Sequence, residues 1–359
     1  MEEIELFPIP SKSFSSTMDF LEYLRGHYAS ESVTHPLTVV VGLTERNKSD
    51  LLSSLGKAGF KVMRELGEVI HLKAEIEKDQ FLECYMTLDP VTGVVLFFTN
   101  FRKTEEIPKL NDFLEADPHS YYLFFPPLLL KRYIERLMSE HEDIEIKEFT
   151  SRRSPESRMP SRYRPSFKRT IGYWGDDGKE TLKELEYAYG VLAQRVIFEI
   201  PSVCKFGIDC RGFMTFHAGD ISCPLQILQG MTAEARRARS AYQTSSYKVV
   251  SAGTSKSPLS IGLSSPVTIL LKNNLTYDRV EELRSRLELE GFSIIDTVSL
   301  EGSLFLSSDI ISRTGHRYRI KSDGSKIRMF PDSERNLHSF MELYEFIVNQ
   351  VDPDAFLQA

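Results

Sequence analysis

The chain has 359 residues, of which 41% are hydrophobic and 26% are charged, which is typical of a soluble globular protein with two or three domains. The acidic start, Met1 to Glu5, excludes an export signal, and the longest apolar run, Tyr121 to Leu130, contains two prolines and is too short to span a membrane. Four cysteines exclude a disulfide scaffold, so we expect a cytoplasmic protein, or a nuclear one in a eukaryote, with no membrane partner.

A segment near the amino terminus is repeated near the carboxyl terminus. Each copy opens with an apolar strand, continues through a polar turn, and then forms an amphipathic helix that ends in glycine and phenylalanine. The opening strands are Leu37–Val41 and Val267–Leu271, and the helix ends are Gly59-Phe60 and Gly291-Phe292. Several strands and a closing apolar helix follow in both copies, with the turn Asp89–Gly93 matched to Arg313–Gly315. The match predicts an internal repeat whose copies share one strand order.

This order of elements, over Leu37–Ala116 and Val267–Val351, resembles the half-repeat of the TATA-binding-protein fold. In that family two half-repeats form a curved sheet with helices on its outer face, and the concave face binds the DNA minor groove. The resemblance rests on element order alone. The chain also departs from the family by a long insertion between the halves, so no binding residue is inferred from the resemblance.

The predicted fold class is α+β, with two or three repeated units of antiparallel sheet and helices packed on one face. The terminal domains are residues 1–150 and 267–359. Between them we predict a basic Arg/Ser/Pro linker at 151–169, a middle α+β unit at 170–243 and a Ser-rich linker at 244–266. The middle unit is either a third copy or a different arrangement of similar elements.

Charge is distributed unevenly along the chain. Residues 151–169 carry seven basic side chains and one acid, a net charge of +6, so the rest of this chain of net charge −7 carries −13. Aromatic residues lie among these cations, and a second arginine group follows in the helix predicted from Pro224 to Tyr242. The predicted nucleic-acid-binding residues are Arg152, Arg153, Arg158, Arg162, Tyr163, Arg164, Lys168, Arg169, Arg236, Arg237 and Arg239.

These residues predict a non-catalytic protein that binds nucleic acid or a nucleoprotein complex. A scaffold or adaptor for an acidic protein is one alternative, and an enzyme of unrecognised type, such as a nuclease or a nucleotide-processing protein, is another. The basic segment also has the composition of an ordinary exposed linker, or of a clasp on the acidic body of the chain. The sequence does not determine the oligomeric state.

No cofactor, metal or catalytic residue is predicted. The chain contains no G-x-S-x-G, G-x-G-x-x-G or G-x-x-x-x-G-K-[ST] motif. Cys204, Cys210, His217 and Cys223 contain the residue types of a zinc site but lack its paired spacing. Strand alternation places Cys204 and Cys210 on one buried face, so we expect both thiols to react slowly. Trp174 is expected to be a core or hinge anchor.

Overall fold

The computed structural model describes residues 12–30, 36–77, 80–100, 108–153, 160–164, 167–254, 257–299, 304–332 and 335–358. The chain divides into two compact units, the first comprising Met1–Pro155 and Met159–Arg236, the second Glu156–Arg158 and Arg237–Ala359. Both contain antiparallel sheets with packed helices, which confirms the predicted α+β class. No helix in the described ranges is both long enough and apolar enough to cross a membrane.

The first unit contains most of the secondary structure. Its elements are α1 (Thr17–Ser30), β1 (Leu37–Thr44), α2 (Lys48–Lys57), β2 (Phe60–Leu66), β3 (Val69–Glu77), β4 (Gln80–Leu88), β5 (Val94–Thr99), α3 (Pro108–Ala116), β6 (Ser120–Tyr122), α4 (Pro127–Glu140), β7 (Glu145–Arg153), β8 (Arg169–Trp174), α5 (Gly178–Tyr189), β9 (Leu192–Ile200), β10 (Cys204–Asp209) and β11 (Phe213–Gly219). The next helix, α6 (Ser222–Gln243), begins in this unit, and Arg236 is its last residue there.

The described strands of the first unit form one antiparallel sheet in the order β2-β3-β4-β5-β1-β11-β10-β9-β7-β8, and β6 also pairs with β1. All eight residues of β1 are buried, because strands flank it on both sides and helices cover both faces. Phe20 of α1 packs edge-on against Phe98 on one face, with ring centroids 5.0 Å apart. On the other face, a Cβ atom at Gly42 would lie 3.1 Å from Leu114 of α3.

The second unit contains the carboxyl-terminal copy of the repeat. Its elements are β12 (Ser246–Thr254), β13 (Ser257–Ser265), β14 (Val267–Leu270), α7 (Tyr277–Leu289), β15 (Ser293–Ser299), β16 (Leu306–Ile311), β17 (Arg317–Ser322), β18 (Lys326–Pro331), α8 (Leu337–Gln350) and β19 (Phe356–Leu357). The main sheet has the order β15-β16-β17-β18-β14-β19. Strands β12 and β13 pair with each other within the segment 244–266, which was predicted as a Ser-rich linker.

The two copies of the repeat have the same connectivity. In both, the opening strand pairs with the last strand of a four-strand meander, and a short final strand adds beside the opening strand. Gly59 and Gly291 end α2 and α7 with φ angles of 91° and 90°. The phenylalanines that follow pack edge-on against the closing helices, Phe60 on Phe113 at 6.4 Å and Phe292 on Phe346 at 5.6 Å between ring centroids.

An Asp-Pro pair after the closing helix is a further shared feature. Asp117-Pro118 precedes β6, and Asp352-Pro353 precedes β19. In each copy, one leucine of the opening strand pairs with the final strand, and these two leucines are equivalent. The aspartate forms hydrogen bonds with the residue three positions after that leucine, in the loop that follows the opening strand. Asp117 Oδ1 accepts from Arg46 Nη2 at 2.6 Å, and Asp352 accepts from the backbone and side-chain nitrogens of Asn273 at 2.9 and 2.8 Å.

The predicted equivalence of two turns is wrong. Asp89–Gly93 joins the third and fourth strands of its meander, whereas Arg313–Gly315 joins the second and third strands of the other. The structural counterpart of Asp89 is Asp323, since both carboxylates cap the β-turn between third and fourth strands, accepting from backbone nitrogens at 3.0 and 3.1 Å. The two turns were matched wrongly because β2 was not predicted as a strand. Its five central residues are all exposed, so it lacks the alternating pattern that indicates a strand.

The middle region is not a third copy of the repeat. In both repeats the strand before the first helix pairs with the last strand of the meander. In the middle region the strand before α5 is β8, which pairs with β7, while the last strand, β11, pairs with β1 of the first repeat. The middle strands therefore extend the sheet of the first repeat.

Candidate functional site

The basic segment lies at one edge of the first unit's sheet. β8 pairs with β7, and its other edge has no partner strand among the described residues. Side chains alternate along β8: Arg169, Ile171 and Tyr173 are half-buried, while those of Thr170 and Trp174 are exposed on the opposite face. The edge therefore presents both backbone hydrogen-bonding groups and side chains to solvent.

The carboxyl-terminal end of α5 holds the basic segment in place. Gly190 ends this helix in the left-handed conformation, and its carbonyl oxygen accepts from Arg153 Nη1 at 3.1 Å. The backbone nitrogen of Tyr163 donates to the carbonyl oxygen of Ala188 at 3.0 Å. Cations are favoured here because the end of a helix carries partial negative charge.

Aromatic and guanidinium groups stack at this helix end. The guanidinium carbon of Arg169 lies 4.1 Å from the ring centroid of Tyr189, and the rings of Tyr189 and Tyr163 are 5.9 Å apart. The guanidinium carbon of Arg162 lies 5.4 Å from the ring centroid of Tyr163. Tyr163, Arg169 and Tyr189, together with Arg164, line an open depression of about 610 Å³.

Four cations at or next to this depression form no salt bridge in the described part of the chain. Within the ranges that the structure describes, no carboxylate forms a salt bridge with Arg162, Arg164, Lys168 or Arg169. Tyr163 and Phe167 are 49% and 60% exposed. We call this surface the β8-edge patch, and it consists of Arg162, Tyr163, Arg164, Phe167, Lys168, Arg169 and Tyr189.

Two predicted binding residues are engaged within the protein. Arg153 is 3% exposed, and burial, together with the positive charge of Arg169, lowers its pKa, so it serves the end of α5 and cannot reach an external phosphate. Arg236 forms an ion pair with Asp89 at 3.6 Å on the β4–β5 turn. Arg153 leaves the predicted set because its guanidinium is buried on an internal partner, whereas Arg236 is 58% exposed and can still contact a ligand.

The remaining predicted residues fall at several places. Arg152 is half-buried and pairs with Thr170 across β7 and β8, beside the patch. Arg237 and Arg239 lie on α6, in the part that belongs to the second unit. Arg158 lies outside the described residues.

Sequence reasoning missed two aromatic residues at this edge. Tyr189 has the spacing of the apolar residues of α5, so the sequence predicts that it packs in the core. Only the adjacent Gly190 indicates that Tyr189 lies at the end of the helix. Trp174 is 74% exposed and lies over Gly172, where a Cβ atom would come within 3.2 Å of the indole ring. It is therefore not the expected core anchor.

The cysteines are distributed through the first unit. Cys84, Cys204 and Cys210 are buried and Cys223 is half-buried. A hydrogen bond with Cys223 and burial raise the pKa of Cys204 well above its usual range, which favours the unreactive thiol. Among the described residues, no three His, Cys, Asp or Glu side chains form a metal-binding group.

Two comparisons with known proteins bear on this region. The model of a family middle domain, AF_0896_M, matches residues 129–211, from α4 to just beyond β10. An uncharacterised protein of Archaeoglobus fulgidus is similar to this chain, with 23% identity over 369 aligned residues that cover 98% of this chain and 99% of the relative. The family match includes β7, β8 and α5, so the β8-edge patch lies within it.

Proposed function

We propose that this protein binds single-stranded nucleic acid through the β8-edge patch. The observation that carries the proposal is a group of four cations at one sheet edge that form no salt bridge with any described carboxylate, with exposed aromatic rings among them. In this arrangement, the cations contact phosphates and Tyr163 and Phe167 stack on unpaired bases. Because every base has an aromatic face, we expect little sequence preference.

The acidic body of the chain does not prevent this binding. Charge interactions in solvent decay over about 8 Å at physiological ionic strength, so a polyanion at the patch responds mainly to the local cations. The net charge of −7 therefore weakens long-range attraction more than it weakens contact. Binding should be strongly dependent on salt concentration.

An acidic protein partner is the second candidate, and the free edge of β8 favours it. Strand addition would use backbone hydrogen bonds along the six residues Arg169–Trp174, with the cations next to acidic side chains. Such a partner would tolerate replacement of Tyr163, whereas base stacking would not. This difference separates the two candidates.

The test is fluorescence anisotropy of a labelled oligothymidine at several KCl concentrations. We expect the triple variant Arg162→Gln, Arg164→Gln, Lys168→Gln to flatten the dependence of log K on log salt by about two units, since each phosphate contact on a single strand contributes about 0.7. Tyr163→Leu should weaken binding by about 1 to 3 kcal/mol without changing the slope.

A matched control removes the same charge elsewhere. Arg136→Gln, Arg284→Gln, Lys272→Gln replaces two arginines and a lysine that are 59 to 67% exposed and paired with acids. This control should keep both affinity and salt slope. Equal losses in the two triple variants, or unchanged binding in the patch variant, would contradict the proposal.

A further inference from the structure

A second concave surface lies on the half of the first unit's sheet away from β8. It is a cleft of about 650 Å³ between α1, the β4–β5 hairpin and α6, which is a size typical of small-molecule sites. Its lining is mixed: Met18 and Leu21 of α1, Leu96 of β5 and Leu228 of α6 form aliphatic walls, and polar or charged residues make up much of the rest.

Thr87 supplies an unpaired polar atom at the floor of the cleft. The residue is 1% exposed, and its Oγ1 has no hydrogen-bond partner among the described residues. Leaving a buried hydroxyl unpaired is costly, so a ligand atom that enters the cleft and pairs with it is favoured. Thr99 on the neighbouring strand provides the contrast, since its Oγ1 donates to the carbonyl oxygen of Glu83 at 2.8 Å.

Two charged residues line the same cleft and retain bonding capacity. Glu68, in the turn after β2, is exposed and has no ion-pair partner in the described part of the chain. The side chain of Arg236 is 58% exposed and lies 3.6 Å from Asp89. Asp89 already accepts from two backbone nitrogens of its turn, so this pair is loose and the guanidinium keeps donors for a ligand.

The start of α1 completes the lining. Ser16 and Thr17 lie at the first turn of this 14-residue helix and border the cleft. The helix dipole makes this end weakly positive, but Ser16 Oγ already accepts from the amide of Asp19, and the Asp19 carboxylate offsets part of that charge. Arg236 therefore supplies the main positive charge in the lining.

We propose that this cleft binds a ribonucleoside monophosphate. The base lies between the aliphatic walls with an edge atom on Thr87 Oγ1, the ribose hydroxyls donate to Glu68, and the phosphate contacts Arg236 near the start of α1. Each kind of group in the lining thus has a matching group in this ligand. A fatty acid would leave Thr87 and Glu68 unmatched, and inorganic phosphate would leave the aliphatic walls unused.

Isothermal titration of the full chain with AMP is the direct test. We expect saturable binding of one AMP per chain, and adenosine to bind roughly tenfold to a hundredfold more weakly because it lacks the charge-assisted bonds of the phosphate. Arg236→Gln should cause a comparable loss for AMP. Inorganic phosphate alone should not saturate the site.

Thr87→Val separates ligand binding from folding. Valine has the shape of threonine but no hydroxyl group, and the hydroxyl of Thr87 has no partner within the described protein, so the melting temperature should be unchanged or higher. AMP should bind roughly fivefold to tenfold more weakly, because it loses its hydrogen bond to Thr87. Thr99→Val is the matched control: it removes a satisfied hydrogen bond, so it should lower the melting temperature and leave AMP affinity unchanged. Thr232→Trp, on the α6 wall, should block the cleft and abolish binding.

The outcomes also separate this site from the β8-edge patch. The triple variant at Arg162, Arg164 and Lys168 should bind AMP as well as the unmodified chain does. The proposal is overturned if AMP does not bind, if Thr87→Val and Thr232→Trp bind normally, or if the triple variant loses AMP affinity.

Discussion

The two copies of the repeat close in the same way but with different chemistry. In the first copy the aspartate of the Asp-Pro pair, Asp117, is 4% exposed and holds the guanidinium of Arg46. In the second copy Asp352 is fully buried and holds the neutral amide of Asn273. The fold therefore requires a buried acceptor at this position, whereas the charge of its partner is free to vary.

This difference changes what each copy tolerates. Although burial opposes ionisation, hydrogen bonds from Arg46, Ser120 and Ser54 and the charge of Arg46 hold the pKa of Asp117 below its ordinary value. Removal of Asp117 leaves a half-buried cation without its partner, whereas removal of Asp352 leaves a neutral amide. The cost of losing the anchor should therefore differ between the copies.

The largest expected effect is that of Asp117→Ala. We expect it to lower the free energy of unfolding of the first unit by about 3 kcal/mol, because breaking a buried ion pair strands the remaining charge. Asp352→Ala should cost the second unit about 1 to 2 kcal/mol, the value of lost neutral hydrogen bonds. Hydrogen exchange read separately in the two units measures both, and equal losses would show that the charge at Arg46 is irrelevant.

The stability contributions of Glu342 in the second copy and Asp117 in the first should depend on pH with opposite signs. In the second copy, Glu342 of α8 is 4% exposed, lies 3.3 Å from Arg313 Nε, and has one carboxylate oxygen without a partner among the described residues. Burial raises its pKa from 4.5 to about 7, against the opposing charge of Arg313. The folded state thus binds the proton more tightly than the unfolded state does.

The contribution of Glu342 to the stability of the second unit should therefore be largest below pH 4.5 and fall by on the order of 2 to 3 kcal/mol as pH rises to about 7. The contribution of Asp117 to the first unit has the reverse sign. It is present above the ordinary value of 3.8 and is lost as pH falls through the lowered pKa. Unfolding followed across this range should show Glu342→Gln flattening the profile of the second unit alone, and an unchanged profile would refute the assignment.

The smallest expected effect is one that the copies should share. Gly59→Ala and Gly291→Ala should each destabilise by about 1 to 2 kcal/mol, since φ angles of 91° and 90° are unfavourable for any side chain. Gly56→Ala is the control, because it lies inside α2 with open space around it and should stabilise by about 0.5 to 1 kcal/mol. A Gly59 or Gly291 variant as stable as the parent chain would remove the argument that glycine is needed at the helix end.

Several parts of the fold were accessible from the sequence because local chemistry carries them. The Gly-Phe helix ends require left-handed glycine and a buried ring, so they revealed the repeat. The Asp-Pro pairs at Asp117 and Asp352 are a second indication of the repeat that is visible in the sequence, but the prediction did not include them. The strand order of the middle region could not be predicted from the sequence, because β11 pairs with β1 and these two strands are far apart in the chain.

The candidate site was readable in composition but not in geometry. Arginine content located the patch, yet Arg153 could be removed from the predicted set only after its internal partner was known. Tyr189 joined the patch because Arg169 lies on its ring, a contact between β8 and α5 with no local sequence signal. Trp174 was misplaced because a large aromatic residue is usually buried.

The position of β1 has a consequence for the order in which the chain folds during synthesis. One edge of β1 pairs with β5 early in synthesis, whereas Val40 on the other edge pairs with Phe213, which is synthesised much later. At ribosomal rates of about 5 to 20 residues per second, the interval between the synthesis of Val40 and that of Phe213 is roughly 10 to 35 seconds. During this time an apolar strand edge stays open to other nascent chains. The opening strand of the second copy, by contrast, finds both β18 and β19 within its own segment.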